Sequence, residues 1–228
     1  MKKIISFSLW GDNPKYCIGA IKNAKLAKFI YRNWICRFYV SDNVDNSIID
    51  ELIKLDCEVI IKKDKADWSS MFWRFEAGFD KSADIVIFRD TDSRLNFREK
   101  YAVEEWERSD KTFHIMRDHP YHGYPILGGM WGMKINDKYD FENILKSFIP
   151  ENQYGTDYVF FANVLFPLIK DDKITHDEFF DKKTFPQKRI FGQFVGQVFD
   201  ENDQTPEEHI DALYNEFFQY RLSYISNS

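Results

Sequence analysis

The chain has 228 residues, of which 44% are apolar and 30% charged, and its net charge is −6. These figures exclude a disordered or fibrous chain, and the acidic balance argues against a nucleic-acid binder, which needs a basic face. No run of 18 apolar residues is present, so we expect no transmembrane segment.

The cysteines Cys17, Cys36 and Cys57 are widely spaced and form no CxxC pair. This pattern indicates reduced thiols packed in the core and no cysteine zinc site. The apolar N-terminal run is short and ends in turn residues rather than in a cleavage site, which favours a first strand over a signal peptide. We therefore expect a cytoplasmic protein, and peripheral association with a membrane surface is left open.

The first 92 residues alternate between short apolar runs and amphipathic segments. Strands are predicted at 3–10, 37–40, 58–61 and 85–88, and helices at 16–34, 46–55 and 67–80. The strands are nearly all apolar, which is typical of a parallel sheet covered by helices on both faces. The predicted class is therefore α/β, with a mostly parallel central sheet flanked by helices.

The second half of the chain is less regular. It predicts helices at 101–108, 141–148 and 155–165, a strand at 112–116 and a loop-rich stretch at 170–198, and four of the ten glycines lie in a Gly-rich segment at 123–132. A final helix is predicted from Pro206 to Tyr224, with Pro at its start. No linker is long enough to divide the chain, so we predict a single domain.

Two carboxylates follow the apolar run at 85–88, in the sequence Asp90-Thr91-Asp92. Ligands of open α/β sheets bind beyond the carboxyl ends of the strands. Carboxylate oxygens in that place suit a divalent cation, Mn²⁺ or Mg²⁺, which in turn can hold a diphosphate. The same residues would also form an ordinary turn after a strand.

An apolar strand that leads into Asp-Thr-Asp, behind three β-α units, resembles the GT-A fold glycosyltransferases. The overall pattern is also similar to small viral and bacterial glycan-building enzymes of this type. The resemblance implies one Rossmann-like domain over residues 1–228. Within it we expect a nucleotide-binding half at 1–95, an acceptor and catalytic half with a smaller sheet at 96–205, and a C-terminal helix at 206–228.

The activity that this resemblance implies is a metal-dependent glycosyltransferase of the hexosyltransferase type. It would move a sugar from a nucleoside-diphosphate sugar, with UDP favoured, to a hydroxyl of a glycan or glycoconjugate, as in polysaccharide biosynthesis. The positions that would bind the donor are Ser8, Leu9, Trp10, Arg74, Asp90, Thr91, Asp92, Gly128 and Gly129.

The remaining roles are implied in the same way. Asp90, Asp92 and a late histidine, His176, would be the metal ligands, while Asp157 would face the acceptor. In an inverting reaction Asp157 would act as the general base, and in a retaining one it would orient the donor sugar. His119 and His122 would donate hydrogen bonds to the acceptor. These two histidines can also be interpreted as part of a metal cluster.

Each of these positions has a structural alternative. The Gly-rich segment can be a tight turn or a bulge. Asp157 in a first helical turn can simply complement the helix dipole. His176 can be a structural histidine, and Arg74 can form an ion pair with Glu76 or Asp80.

Two other functions stay open. One is a catalytically inactive module that binds a nucleotide-sugar. The other is a sugar-phosphate nucleotidyltransferase, which has a Gly-rich, basic loop after its first strand. This second alternative is disfavoured, because Gly11 is the one glycine in the corresponding loop of this chain.

Overall fold

The computed structural model describes residues 1–181, 183–190 and 192–226, with side chains as far as residue 216. Its strands are β1 (Lys3–Leu9), β2 (Ile35–Ser41), β3 (Glu58–Lys62), β4 (Ile85–Phe88), β5 (Phe113–Arg117), β6 (Trp131–Lys134) and β7 (Lys173–Asp177). They form one sheet in the order β3-β2-β1-β4-β6-β5-β7. The α/β class and the central sheet are therefore confirmed.

Helices cover this sheet on both faces. The α-helices are α1 (Pro14–Ile30), α2 (Asn46–Lys54), α3 (Phe97–Glu107), α4 (Phe141–Lys146), α5 (Thr156–Phe160), α6 (Phe166–Ile169) and α7 (Glu207–Ser226). A 3₁₀ helix spans Trp68–Phe79, and a π-helical turn at Phe161–Leu165 joins α5 to α6. Residues 227 and 228 of the predicted C-terminal segment lie outside the described residues.

The first half of the chain forms the parallel part of the sheet. Strand β1 pairs in parallel with β2 and β4, and β2 pairs in parallel with β3. Helix α1 begins directly after β1, where the Asn13 side chain accepts a hydrogen bond from the Lys15 amide and Pro14 occupies the first turn. This arrangement is the one that the alternating sequence pattern predicts.

The second half continues the same sheet instead of forming the smaller one that we expected. Strand β6 runs antiparallel to β4 along four residue pairs and antiparallel to β5 on its other side. Within the described residues, these pairings leave the acceptor half without a sheet of its own. The Gly-rich segment is a turn up to Met130, whose amide donates to the Leu127 carbonyl, and the strand begins at Trp131.

Strand β7 lies inside the stretch that the sequence predicts to be loop. Its five residues, Lys173–Asp177, pair in parallel with β5 at the edge of the sheet. Most of them are polar, so the segment lacks the apolar run that marked the other strands. The parallel pairing with β5, rather than a local apolar pattern, therefore makes this segment a strand.

Apolar clusters pack on both faces of the sheet, between the sheet and its helices. Side chains alternate along β1 and β4, so that Ile4 and Phe88 pack towards the 3₁₀ helix, while Ile5 and Ile87 pack towards α1 and α3. The carboxyl ends of β1 and β4 are left open for a ligand.

Within the described part of the chain, no helix has both the length and the apolar character to cross a membrane.

Candidate functional site

A cavity of about 330 Å³ opens at the carboxyl ends of β1 and β4. The structure brings most of the residues selected from the sequence to its lining. These residues are Ser8, Leu9, Trp10, Arg74, Asp90, Thr91, Asp92, His119, His122, Gly128 and Asp157. Sheet edges of this kind are where α/β proteins bind ligands.

Arg74 of the 3₁₀ helix lines this cavity. Its backbone is fixed to β1, because the Arg74 amide donates to Ser8 Oγ at 2.9 Å and its carbonyl accepts from Ser6 Oγ at 2.7 Å. The buried guanidinium forms an ion pair with Asp90 and lies 3.7 Å from Asp157 Oδ2. Arg74 therefore connects two of the candidate carboxylates.

The alternative pairings for Arg74 are not the ones observed. Glu76 pairs with Lys62 at 2.8 Å, and Asp80 pairs with Arg37 at 2.7 Å. Both carboxylates are thus engaged away from the cavity.

The loop that carries Asp90 and Asp92 is held from behind by α1. The Asn23 side chain donates to the carbonyls of Thr91 and Ser93 and accepts from the Leu95 amide. Lys15 at the start of α1 lies 2.8 Å from Asp92 Oδ2. Burial, and then repulsion from Asp90, raises the pKa of Asp92.

Two glycines let this loop and its neighbours approach one another. A Cβ at Gly129 would collide with the carboxylate of Asp90, and a Cβ at Gly128 would collide with Asp157 and Arg74. The turn at these glycines therefore packs its bare backbone against the charged groups. Gly128 lines the cavity, while Gly129 lies directly behind Asp90.

Asp157 lies in the first turn of α5 and is 5% exposed. Burial raises the pKa of its carboxyl to about 6, with the nearby Arg74 lowering it and Asp90 raising it. A carboxylate with such a pKa is ionised at neutral pH and is a stronger base than an exposed aspartate. We call Asp90, Asp92 and Asp157 the carboxylate wall of the cavity.

The carboxylate wall has the ligand chemistry that a hard divalent cation needs. The side chain of Asp90 is 45% exposed, and that of Asp92 is 16% exposed. Among the described residues, no group of three or more His, Cys, Asp or Glu side chains is placed to hold a metal ion. Mg²⁺ and similar ions bind through one or two carboxylates plus substrate phosphates, so Asp90 and Asp92 fit this mode.

His176 does not reach the cavity. It lies on β7, 2% exposed, with its Nδ1 atom 2.8 Å from His114 Nε2 and its Nε2 atom 3.5 Å from Glu105 Oε1. Burial lowers the pKa of His176. The structural alternative given for His176 matches this position, because β7 turns its side chain into the protein next to β5.

The lining of the cavity also includes His119, Tyr121, His122 and His209, which we call the histidine wall. The Tyr121 amide donates to His119 Nδ1 at 3.1 Å, and His119 Nε2 donates to the His209 carbonyl at 2.8 Å. This link joins the loop after β5 to the first turn of α7. From the sequence alone, His209 is not assigned to the site. The signal for it in the sequence is weak, because it consists of a histidine close to Pro206 at the start of a predicted helix.

The architecture of this chain is also found in solved structures of other proteins. No protein-family model and no curated protein sequence matches the chain. Among solved structures, glucosyl-3-phosphoglycerate synthase from Mycobacterium tuberculosis is similar, with a TM-score of 0.50 and 13% identity over 83% of this chain and 73% of that one. That enzyme was solved in complex with Mn²⁺, UDP-glucose and phosphoglyceric acid.

A candidate nucleotide-diphospho-sugar transferase from Desulfovibrio desulfuricans G20 is similar to the same degree. It has a TM-score of 0.50 and 10% identity over 78% of this chain and 80% of that one. The chain has a GT-A fold. In this GT-A fold, the cavity lies at the carboxyl ends of β1 and β4, and both walls contribute to its lining.

Proposed function

We propose that this GT-A fold is a metal-dependent glycosyltransferase. It would move a hexose from a nucleoside-diphosphate sugar, with UDP favoured, to a hydroxyl of a glycan or glycoconjugate. The observation that carries the proposal is that Asp90, Asp92 and Asp157 line one cavity beyond β1 and β4, where Arg74 contacts both Asp90 and Asp157. Perturbed carboxylates in such a cleft are typical of catalytic sites.

Asp90 and Asp92 would hold the divalent cation, Mn²⁺ or Mg²⁺, which when bound neutralises charge on the leaving diphosphate. Residues of β1 and the following turn, Ser8 to Trp10, line the adjacent part of the cavity and would hold the nucleoside. The bare backbone at Gly128 lets the Arg74 and Asp157 side chains pack against it, and this contact would hold both side chains in place beside the donor sugar.

Asp157 would accept the proton of the acceptor hydroxyl while that oxygen attacks the anomeric carbon. The bond from this carbon to the diphosphate breaks, and the diphosphate leaves with the electron pair. A base with a pKa of about 6 is well matched to this step at neutral pH. The role applies to an inverting reaction, and in a retaining one Asp157 would orient the donor sugar.

The test is thermal melting with UDP, GDP, TDP and CDP, each with and without Mn²⁺. We expect one diphosphate to raise the melting temperature only when the metal is present, because a ligand at a hundred times its Kd adds about 2.7 kcal/mol. The variant Asp90→Asn/Asp92→Asn should lose the effect. The matched control is Asp110→Asn, which changes an exposed aspartate outside the cavity lining. If no diphosphate stabilises the protein, the proposal is wrong.

Turnover separates the proposal from its two alternatives. A glycosyltransferase releases the nucleoside diphosphate from the nucleotide-sugar in an acceptor-dependent manner. An inactive binding module would bind the same ligand without releasing it. A nucleotidyltransferase would instead release pyrophosphate from a nucleoside triphosphate and a sugar phosphate. Phosphorus NMR of the products distinguishes the three outcomes.

A further inference from the structure

The histidine wall differs in chemistry from the carboxylate wall of the same cavity. We propose that the histidine wall binds one uncharged pyranose unit of the acceptor. In this complex the ring of Tyr121 lies against the C–H face of the sugar, and Nε2–H of His122 donates a hydrogen bond to a sugar hydroxyl. The inference rests on the proposed glycosyl transfer and names the acceptor class for it.

Tyr121 provides an aromatic surface at the mouth of the cavity. Its side chain is 57% exposed although it lines the cavity. Its ring contacts His119 and His209 at centroid distances of 5.0 and 5.7 Å, with interplanar angles of 68° and 86°. Neither contact is a parallel stack, so the two imidazoles position the ring without covering it. Exposed aromatic rings at a cleft mark binding surfaces.

His122 adds a hydrogen-bond donor beside this ring. Its Nδ1 accepts from the Asp118 amide at 3.1 Å, so the proton of the neutral imidazole is on Nε2. Burial lowers the pKa of His122 well below its ordinary value, and lowers that of His119 to about 4. Both rings are therefore neutral at pH 7, and His122 can donate to a hydroxyl oxygen without attracting an anion.

His119 has a different part in this wall. Both of its ring nitrogens are engaged, one by the Tyr121 amide and the other by the His209 carbonyl. It is therefore a positioning residue, which holds Tyr121 in place, and not a direct ligand of the acceptor.

The charge of the cavity argues against an anionic acceptor. Among the described residues that line it, Arg74 is the one lysine or arginine, and it is already paired with Asp90. With the cation and the diphosphate bound at Asp90 and Asp92, a phosphorylated or carboxylated sugar would still meet the diphosphate and Asp157, and the described lining residues offer it no unpaired lysine or arginine. An uncharged sugar avoids this repulsion and can use the aromatic face and the neutral imidazole.

The probes are methyl glycosides of glucose, galactose, mannose and N-acetylglucosamine, with methyl glucuronide and glucose 6-phosphate as charged counterparts. Binding is measured by saturation-transfer NMR titration in the presence of UDP and Mn²⁺. We expect at least one neutral glycoside to bind and the charged sugars to bind at least about tenfold more weakly. A preference for a charged sugar, or binding of no neutral glycoside, would overturn the inference.

Variants locate the subsite. Tyr121→Ala should lower the affinity for the neutral glycoside about tenfold, which is the size of a good aromatic contact. Tyr121→Phe should change this affinity by less than about twofold. His122→Phe should lower the affinity for the glycoside about fivefold, because the hydrogen bond to the sugar is lost. Phe97→Ala removes an aromatic side chain that is 52% exposed but lies outside the cavity lining, and serves as the matched control.

The measurements distinguish an error in this inference from an error in the proposed function. If UDP and Mn²⁺ bind but Tyr121→Ala leaves the affinity for the glycoside unchanged, the acceptor subsite is wrong and the transferase proposal stands. If UDP does not bind with Mn²⁺, the proposed function is wrong. The UDP affinity of every variant is measured in parallel, and we expect it to be unchanged.

Discussion

The two walls of the cavity are built on different parts of the fold. The carboxylate wall lies at the ends of β4 and the start of α5, and Arg74 and Lys15 provide its cations. The histidine wall stands on the loop after β5 and on the first turn of α7, and the imidazoles of buried His119 and half-buried His122 are neutral at pH 7. The carboxylate wall is thus held in place by ion pairs with Arg74 and Lys15, while the neutral surface that would select a substrate is held by the hydrogen bonds of His119.

The comparison predicts that the carboxylate wall controls the rate. Asp157→Asn should lower kcat about 10²- to 10⁴-fold, the range for loss of a general base. The donor KM should change little, because the other carboxylates and Arg74 remain. Steady-state kinetics measure both values, with the neutral glycoside that binds in the NMR titration as the acceptor.

The same change gives a sharper result in the pH profile. In the wild type, kcat/KM should rise with pH through about 6, as Asp157 becomes ionised. The residual activity of Asp157→Asn should lack this rise. A wild-type profile that is flat between pH 5 and 8 contradicts the role of Asp157 as a base.

Arg74 should matter for stability as well as for binding. Arg74→Met leaves buried Asp157 without its cation, so we expect a loss of about 3 kcal/mol in the free energy of unfolding at pH 7. Urea denaturation measures it. The double variant Arg74→Met/Asp157→Asn should recover part of the loss, and an additive result would show that the two side chains do not interact.

The buried carboxyl of Asp157 should also lower the stability of the folded protein. Folding raises its pKa to about 6, so the folded state favours the protonated form, and stability falls as pH rises from the ordinary aspartate range through 6. Asp157→Asn should therefore be more stable than the wild type at pH 8, by up to about 3 kcal/mol, and nearly equal to it at pH 4. Thermal melting at the two pH values tests this, and a gain of equal size at both would exclude titration as its cause.

The smallest effect is expected at the glycine turn. Gly129→Ala pushes a methyl group against Asp90, so Mn²⁺ should bind about tenfold more weakly, as followed by electron paramagnetic resonance. Gly123→Ala is the matched control, because its Cβ would meet only the Phe180 ring at an ordinary 3.8 Å. Equal metal affinities in the two variants would mean that the turn does not shape the carboxylate wall.

The sequence predicts the carboxylate wall better than the histidine wall, and the reason is physical. Strands β1 to β4 are short apolar runs in a repeating β-α order, which leaves few possible topologies. The position of Asp90 and Asp92 after β4 then follows directly. The pairing of Arg74 with Asp90 and Asp157 depends on how the 3₁₀ helix packs against β1, and no local pattern carries that information.

The second half of the chain shows where such reasoning fails. His176 was selected as a late histidine within a stretch expected to be loop, but β7 carries it into a buried contact with His114. His209 reaches the cavity because α7 packs its first turn against the loop of His119. Both outcomes are set by long-range pairing, of β7 with β5 and of α7 with a loop, rather than by local propensity.

The side chain of Asn23 has a consequence for how a ligand would bind. Its three hydrogen bonds to the backbone between Thr91 and Leu95 give the loop after β4 a fixed shape before any ligand arrives. The entropy cost of ordering this loop therefore arises when the protein folds and not when a ligand binds. Binding of a nucleotide should therefore carry little entropy penalty from ordering these residues, and the loop should be as protected from amide hydrogen exchange in the free protein as in the complex.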